Sequence, residues 1–404
     1  MRVVVDSATL EGAVERLTAR DSRAGEDARA AVEWLTAGEE EEPAAFTRRG
    51  LQLFLWYELP RKWLIEPDEH VAVARALGSF FDELGAEAAE LSELCRAPET
   101  LQLLRDGGDG FVEAIEASGL EPPDTPLLEW SDLMTIEESL ERDAVAETLE
   151  SAVDEGLLSP GAKGWRERQI ELVERHLVVP DESGTTPLGR VHAARGEAWL
   201  ERVPDEYRAL LARAMPPAEW TPSEEQAVAA VEPLLWLLAR LAEGVKLTQT
   251  GALSRALVRE AVERYPDWWD NELFGPPHRE ADVYPLEVMH IFVEELRLAR
   301  PRKGMLKLGP RGRTLRSDPA ALLASVASTI ASAGASPQLD LALADLLTRD
   351  DGEDIDFRLV HLLGPFYGIV GGRLRKEAHL TAGGRTLATA ILRARAYGPR
   401  HSFA

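Results

Sequence analysis

The chain has few of the residues on which catalytic and metal sites usually depend. Cys95 is the one cysteine among 404 residues, which excludes an internal disulfide framework and a cysteine-rich zinc site. The eight histidines are scattered without a His-Glu-x-x-His spacing, and no serine stands in a Gly-x-Ser-x-Gly elbow. The sequence therefore predicts no catalytic residue, no metal and no cofactor, and it favours a binding protein over an enzyme.

Long apolar runs are also missing. The most apolar stretch, residues 227–244, is interrupted by Glu232, Pro233 and Arg240 and falls short of the ~20 apolar residues that a membrane helix needs. We read it as a buried helix that bends at Pro233. The acid at Asp6 and the lack of an early apolar run argue against a signal peptide. We expect a cytoplasmic protein without membrane contact, and the Arg-, Ala- and Leu-rich composition is typical of a GC-rich bacterial gene.

Charge is distributed unevenly along the chain. The net charge of −25 by itself argues against nucleic-acid binding, because an acidic surface repels phosphates. Residues 297–404, however, contain 17 Lys+Arg and 9 Asp+Glu, a net charge of +8, whereas residues 1–296 have a net charge of −33. Such asymmetry predicts a basic interaction surface on an acidic body.

Helical patterns dominate the sequence. Few stretches alternate with a period of two, so the predicted class is mainly α with small β-hairpins. We predict a helical N-terminal domain over residues 1–125, followed by two or three winged-helix-like modules. Residues 126–216 are predicted to form a helical or weakly winged-helix-like module. Residues 217–333 are predicted to form a winged-helix-like module, and residues 334–404 a C-terminal one.

The clearest of these patterns covers residues 286–316. Leu286, Met289, Val293 and Leu296 recur at spacings of three and four, which predicts one buried face of a helix. The Arg-Pro-Arg-Lys-Gly segment that follows cannot continue the helix, because proline lacks an N–H and glycine readily takes a positive φ. A short strand and a Ser-Asp-Pro capping signal for the next helix complete the outline of helix, basic hairpin and helix.

This pattern recurs near the C-terminus. The segment LKLGPRGRTL, residues 306–315, aligns with AHLTAGGRTL, residues 378–387. A fainter third copy is GRVHAARGEAWL, residues 189–200, in which Arg195 and Gly196 take the place of the later Arg-Gly pair. Repeated supersecondary units predict repeated modules.

Basic residues accompany both clear copies. The residues predicted to contact nucleic acid are Arg300, Arg302, Lys303, Lys307, Arg311 and Arg313 in the first cluster, and Arg373, Arg375, Lys376 and Arg385 in the second. A cluster of this density can neutralise several phosphates. The alternative is that these side chains pair with the acidic body or form a solvated face, because the acidic remainder would repel nucleic acid over a Debye length of ~8–10 Å.

One helix also carries metal-type ligands. Glu287, His290 and Glu294 lie about one turn apart, so their side chains share a face. A di-metal bundle needs two Glu-x-x-His motifs, and we find one. A partly buried helix face is therefore the favoured interpretation.

Aromatic residues stand in a loop before that helix. Trp268, Trp269 and Phe274 could stack on bases of a single strand. Aromatics beside Pro-Pro more often pack their own loop onto a core, and we favour that interpretation.

In its C-terminal half, the chain resembles a group of uncharacterised actinobacterial proteins with winged-helix-like C-terminal modules. The resemblance rests on LTQTG at residues 247–251 and LTAGGR at residues 380–385, each a strand-to-helix entry. Leu308-Gly309 departs from this motif because the threonine is absent. The resemblance covers about residues 245–395 and implies a fold without an established function.

Two hypotheses follow from the sequence. In the first, a non-catalytic protein binds DNA or RNA through basic wing hairpins. In the second, the same modules build a scaffold whose acidic helical surfaces bind a basic protein partner. A metal-dependent enzyme with ligands at Glu287, His290 and Glu294 is a third and less favoured interpretation.

Overall fold

The computed structural model describes residues 2–36, 43–269, 274–333, 337–349, 370–371 and 379–401. Over these residues the fold is mainly α, as predicted, and each sheet has two or three strands. The chain divides into two compact units, Met1–Val191 with Arg400–Ala404, and His192–Pro399.

The first unit consists of helices and a two-stranded sheet. Strand β1 (Arg2–Val5) pairs antiparallel with β2 (Ala44–Thr47). The helices are α1 (Ser7–Arg20), α2 (Ser22–Thr36), α3 (Arg48–Leu53), α4 (Leu59–Lys62), α5 (Pro67–Leu84), α6 (Ala89–Arg96), α7 (Pro98–Arg105), α8 (Phe111–Ser118), α9 (Ile136–Asp154) and α10 (Trp165–Val178). The larger core of this unit is centred on Phe54, Phe80 and Phe81, which are completely buried.

Residues 44–58 are apolar almost all round, a pattern that predicts one core helix ending at Pro60, and the start of α3 corrects this prediction. The first four of these residues form β2 instead, and Phe46 is buried opposite Val3. The helix begins only after Thr47, whose hydroxyl accepts the N–H of Gly50 at 3.0 Å. A threonine that caps a helix has extended backbone, so Thr47 ends the strand and starts the helix at once.

The end of this helical stretch also differs from the expectation, which placed it at Pro60. The chain passes through a π-helical turn, Phe54–Glu58, and continues as α4 to Lys62. Pro60 lies in the first turn of α4. Proline cannot donate to a carbonyl of the preceding turn, and the π-helical turn lies directly before it.

A capping unit of the form Thr-x-x-Gly occurs three times among the described residues. The threonine hydroxyl accepts the glycine N–H in the pairs Thr47 and Gly50 at 3.0 Å, Thr186 and Gly189 at 3.0 Å, and Thr381 and Gly384 at 2.8 Å. This unit gives a better alignment for the third copy of the repeat, residues 186–190 onto 381–385. Arg195 and Gly196, which the sequence comparison aligned, lie inside α11 (Pro187–Glu201), and residues 126–216 contain no strand.

The second unit contains the remaining elements. In chain order these are α12 (Asp205–Ala214), α13 (Glu224–Glu243), β3 (Val245–Lys246), α14 (Arg255–Arg264), α15 (Tyr284–Glu295), β4 (Ala299–Arg302), β5 (Met305–Leu308), α16 (Pro310–Arg316), α17 (Pro319–Ala333), α18 (Pro337–Thr348), β6 (Val370–Gly371), β7 (His379–Leu380) and α19 (Ala382–Tyr397). Its core is one continuous cluster of buried side chains that includes Leu237, Leu241 and Val258.

The stretch from α13 to β5 combines helices with a small three-stranded sheet that contains the predicted basic hairpin. A helix is followed by a strand, two helices and a hairpin, and the strand order in the sheet is β3-β5-β4. The predicted helix face is confirmed, because Leu286, Met289, Val293 and Leu296 are all buried. We call this stretch the central module and its β4–β5 hairpin the wing.

The second copy of the repeat has the same local order where the structure describes it. β6 and β7 pair antiparallel, with Val370 opposite Leu380. In both copies one residue, Gly309 or Thr381, separates the last strand from the next helix and caps that helix. Residues 372–378, between β6 and β7, lie outside the described residues.

A close helix contact joins the second copy to α13. Pro233 lies inside α13 and has no N–H, so it cannot donate to the carbonyl of Ala229 one turn earlier. Gly383, in the first turn of α19, packs against that carbonyl, and a Cβ atom at this position would lie 2.3 Å from the Ala229 oxygen. The contact therefore requires glycine at residue 383.

Candidate nucleic-acid interface

The wing ends in a two-residue turn. Arg302 pairs with Met305, which leaves Lys303 and Gly304 as the turn residues. Both have a left-handed backbone, with φ of 51° and 73°. This is the type I′ geometry that matches the twist of a tight hairpin, and it favours Asn-Gly or Gly-Gly over a lysine.

The strands of the wing separate apolar and basic side chains onto opposite faces. Ala299, Leu306 and Leu308 are buried. Arg300 and Lys307 are paired directly across the two strands, so their side chains lie on the same, outer face. Arg302, two residues along β4, also lies on that face, and all three cations are exposed.

The third strand adds a cation that the sequence analysis did not identify. Lys246 on β3 is paired with Met305 on β5, and it is exposed. Met305 lies on the outer face with Lys307, so Lys246 lies there too. The signal in the sequence was a single lysine in a very short strand, and only the pairing of β3 with β5 places it beside the wing. We call Lys246, Arg300, Arg302, Lys303 and Lys307 the basic wing face.

Two features of the wing's charged residues are expected to reduce local stability. Arg300 lies opposite Lys307, and like charges in directly opposed positions destabilise a sheet. Lys303 occupies a left-handed position at the turn, and Arg297 occupies another between α15 and β4. These are the two non-glycine residues with positive φ in the described part of the chain, and both are basic. Strain of this kind is typical of functional positions.

The charged ends of the basic wing face have no ion-pair partner among the described residues. The recorded salt bridges include none to Lys246, Arg300, Arg302, Lys303 or Lys307. Among the described residues these cations therefore do not pair with acids, which was one form of the predicted alternative. They form an exposed, solvated cluster of positive charge, which was its other form.

Arg311 and Arg313 lie on α16 rather than on the hairpin itself. Both are exposed. The guanidinium of Arg313 donates to the carbonyl oxygen of Leu308 at 3.1 Å, which ties the start of α16 to the end of β5. Gly312, between them, lies against the backbone of Leu298, where a Cβ atom would be 2.2 Å from the carbonyl oxygen. Arg311 therefore projects from a helix that is held close to the base of the wing.

The second basic cluster does not form a comparable face where the structure describes it. Arg373, Arg375 and Lys376 lie outside the described residues. Arg385 is half-buried in α19 and donates to the carbonyl oxygen of Leu347 at 3.3 Å. Its guanidinium is thus used within the unit.

Two further arginines of the C-terminal segment are structural. Arg395 donates to both carboxylate oxygens of the buried Asp340, at 2.8 and 2.9 Å, and Arg393 donates to the carbonyl oxygen of Ala218 at 2.7 Å. Positive charge in the C-terminal segment is therefore partly used for packing, whereas that of the wing is not.

The helix that carries Glu287, His290 and Glu294 uses its histidine in a buried pair. His290 Nδ1 lies 2.7 Å from a carboxylate oxygen of Glu280, and the other oxygen of Glu280 accepts the N–H of Leu253 at 2.6 Å. Burial lowers the pKa of His290, but the hydrogen bond and charge of Glu280, with the charge of Glu294, outweigh it, so the pKa is raised.

A metal site at this helix is not formed by the described residues. Among them, no group of three or more His, Cys, Asp or Glu side chains could hold a metal ion. Glu280, which the sequence analysis did not identify, begins a short 3₁₀ helix, Glu280–Asp282, ten residues before His290, and only the fold brings the two together. We interpret the pair as a structural link between that 3₁₀ helix and α15.

The aromatic loop packs on its own module. Trp268 is buried and stacks on Tyr265, with ring centroids 4.1 Å apart. The indole N–H of Trp269 donates to the carbonyl oxygen of Gly275 at 2.6 Å, and its ring lies 5.3 Å from that of Phe274. The two tryptophans are therefore engaged within the module, as the favoured interpretation held.

Comparison with known families matches the central module. Residues 227–321 match the model of a family described as the Y4jL N-terminal domain. The matched residues begin in α13 and end in α17, so they contain the whole wing and its supporting helices. No curated protein and no solved structure matches the chain. Among the described residues, no helix has the length and apolar character to span a membrane.

Proposed function

We propose that this chain is a non-catalytic protein that binds the phosphate backbone of nucleic acid through the basic wing face. The observation that carries the proposal is the exposed cluster of five cations without a carboxylate partner among the described residues. The chain as a whole has a net charge of −25, so a cluster of cations that remains unpaired is unexpected on electrostatic grounds. Release of counterions from phosphates would supply the binding free energy.

Local destabilisation of the wing supports the same proposal. A lysine in a left-handed turn position and an arginine opposite a lysine each cost stability that Asn, Gly or a carboxylate would restore. Residues that violate local preferences without a structural gain are expected mainly at functional sites. Here the positive-φ residues Arg297 and Lys303, and Arg300 opposite Lys307, all add positive charge to one hairpin or its base.

The test is fluorescence anisotropy of labelled double-stranded and single-stranded oligonucleotides with the full chain, at about 50 mM and about 200 mM salt. The test variant is Arg300→Ala with Arg302→Ala. The matched control is Arg105→Ala with Arg175→Ala, which removes the same charge from exposed positions of α7 and α10.

We expect binding that weakens steeply with salt, that falls about tenfold or more in the wing variant, and that the control leaves unchanged. Equal loss in both variants would show a non-specific effect of net charge. No binding by the unchanged chain would reject nucleic acid as the partner.

A second candidate is a scaffold that binds a basic protein. Helix α9 supports it, because Ile136 and Leu140 lie one turn apart on its surface with 77% and 63% of their area exposed. Leu133, just before the helix, is also exposed, and the acid Glu137 lies beside them. An apolar stripe flanked by acid fits a basic amphipathic helix.

The second candidate is tested with Ile136→Asp combined with Leu140→Asp. If α9 is the binding surface, this variant abolishes a salt-sensitive complex with a basic protein, and the wing variant leaves that complex intact. The reverse pattern would assign the partner to the wing.

A further inference from the structure

The helix that precedes the wing has the wrong charge for contact with a phosphate backbone. Helix α15 is the third helix of the central module and leads directly into β4. Its exposed or half-buried side chains are Tyr284, Glu287, Ile291, Phe292, Glu294 and Glu295. His290, the one residue of α15 that could carry a positive charge, is buried against Glu280. The helix therefore presents carboxylates and apolar groups to solvent.

A helix of this kind is repelled by a nucleic-acid groove. Both grooves lie between rows of phosphates, and helices that read bases carry side chains that neutralise or donate hydrogen bonds to these groups. Glu287, Glu294 and Glu295 would instead bring negative charge into a negative potential. The basic wing face, on the same module, has the opposite sign.

The basic wing face also lacks the groups that hold single strands. Single-stranded nucleic acid is bound by stacking of its bases on aromatic side chains. The outer face of the β3-β5-β4 sheet carries Lys246, Arg300, Arg302, Lys307 and Met305, with no aromatic residue among them. Such a face can contact phosphates but offers nothing to an unstacked base.

The dimensions of the face suit a short run of phosphates. Three neighbouring strands cover about 10 Å, at ~4.8 Å between strands, and residues two apart on a strand are ~7 Å apart. Lys246, Lys307 and the pair Arg300 and Arg302 therefore form a patch of about 10 Å by 7 Å. We expect three or four phosphates to be neutralised, which corresponds to a slope of about −3 in log K against log salt.

We infer that the module binds duplex nucleic acid by its backbone alone, with the wing as the contact and α15 turned away from the groove. This inference rests on the proposed function and adds the form of the ligand and the mode of binding. Recognition is then independent of base sequence, because phosphate contacts carry no direct sequence information.

The experiment measures binding of the full chain to three duplexes of unrelated sequence and to one single strand, over a series of salt concentrations. The wing variant is Arg300→Gln with Arg302→Gln and Lys307→Gln. The helix variant is Glu287→Gln with Glu294→Gln and Glu295→Gln. The charge control is Arg105→Gln with Arg175→Gln.

We expect the three duplexes to bind within about twofold of each other and more tightly than the single strand. The wing variant should weaken binding at least tenfold and flatten the salt slope, and the helix variant should tighten binding several-fold without creating a sequence preference. The charge control should change neither quantity.

Other outcomes overturn the inference in distinguishable ways. If the helix variant weakens binding, or if the duplexes differ strongly in affinity, α15 enters a groove and the binding mode is wrong, although the proposed function stands. Tighter binding of the single strand rejects the duplex as ligand. If the unchanged chain binds no nucleic acid, the proposed function and the inference are both rejected.

Discussion

Arginine side chains are used in opposite ways in the first unit and in the wing. In the first unit, Arg49 donates to Glu121 at 3.1 Å and to Asp143 at 2.8 Å, and it is almost completely buried. In the wing, Arg300 and Arg302 are exposed and make no ion pair with a described residue. The same residue type thus stabilises one part of the chain and remains available to a ligand in the other.

The comparison explains how an acidic protein can carry a basic site. A carboxylate within a few ångströms cancels the field of an arginine, so the paired cations of the first unit attract no phosphate. The wing is short, and β3 beside it and β5 within it contain valine, lysines, methionine and leucines. The positive charge of the wing therefore remains unpaired, because the local sequence contains no acidic residue.

Removing a carboxylate partner of a buried arginine should have the largest effect on stability. Glu121→Ala leaves the buried guanidinium of Arg49 without one of its two carboxylates and also removes the partner of Arg142. We expect the free energy of unfolding to fall by on the order of 3 kcal/mol, as for other buried ion pairs that lose one member.

Urea denaturation measures this loss. The matched control is Glu11→Ala, which breaks the exposed pair of Glu11 with Arg29 and should cost less than about 1 kcal/mol. Equal effects of the two substitutions would contradict the distinction between buried and exposed pairs.

The His290 pair should make the second unit sensitive to pH by a smaller amount. The pKa of His290 is raised in the folded state, so its contribution to stability is complete below the ordinary histidine pKa of about 6.5. That contribution is lost as the pH rises through the raised pKa.

Unfolding of the unchanged chain and of His290→Gln at a series of pH values between about 5.5 and about 8.5 measures this dependence. The unchanged chain should lose stability with rising pH over that range relative to the variant. Parallel curves would show that the pair with Glu280 does not control the titration.

The turn of the wing should show a conflict between stability and binding. Lys303→Asn places a residue that favours type I′ turns at a left-handed position, so it should stabilise the second unit by up to about 1 kcal/mol. It also removes one cation from the basic wing face.

Thermal unfolding and duplex binding of Lys303→Asn are measured together. A higher Tm with weaker binding supports a functional reason for the lysine. If neither quantity changes, the turn residue is incidental to both.

The smallest effect on stability is expected for the exposed arginines of the wing. Arg300→Ala with Arg302→Ala removes no contact to a described residue and relieves the repulsion between Arg300 and Lys307. The free energy of unfolding should change by less than about 0.5 kcal/mol. A clear loss of stability on urea denaturation would show that these side chains have a structural partner. The wing arginines would then not differ from Arg49 in this respect.

Local patterns were enough to predict much of the central module. The spacing of Leu286 and Val293 indicated the buried face of α15, and the Pro and Gly residues after it indicated the hairpin. These features depend on interactions between residues that are close in sequence, so the sequence contains them directly. The start of α3 was predicted wrongly because the residues before it form β2. That strand is defined by its pairing with β1, about forty residues earlier in the chain.

The candidate site was predicted in part, because several of its cations are close together in the sequence. Arg300, Arg302, Lys303 and Lys307 are a cluster in the sequence and remain one in the structure. Lys246 joins them only through the β3–β5 pairing, and Arg313 and Arg385 prove to donate to backbone carbonyl groups. Whether a charged side chain faces solvent or a partner depends on distant residues, which periodicity does not report.

The sequence by itself determined the helical class, the hairpin with its basic residues, and the separation of charge between the two parts of the chain. Each of these follows from composition, from helical period and from the φ preferences of proline and glycine. The tertiary structure decided which cations are paired, where Glu280 meets His290, and why glycine is required at Gly383 against the carbonyl of Ala229. These results depend on contacts between residues far apart in the chain, and only the folded packing selects them.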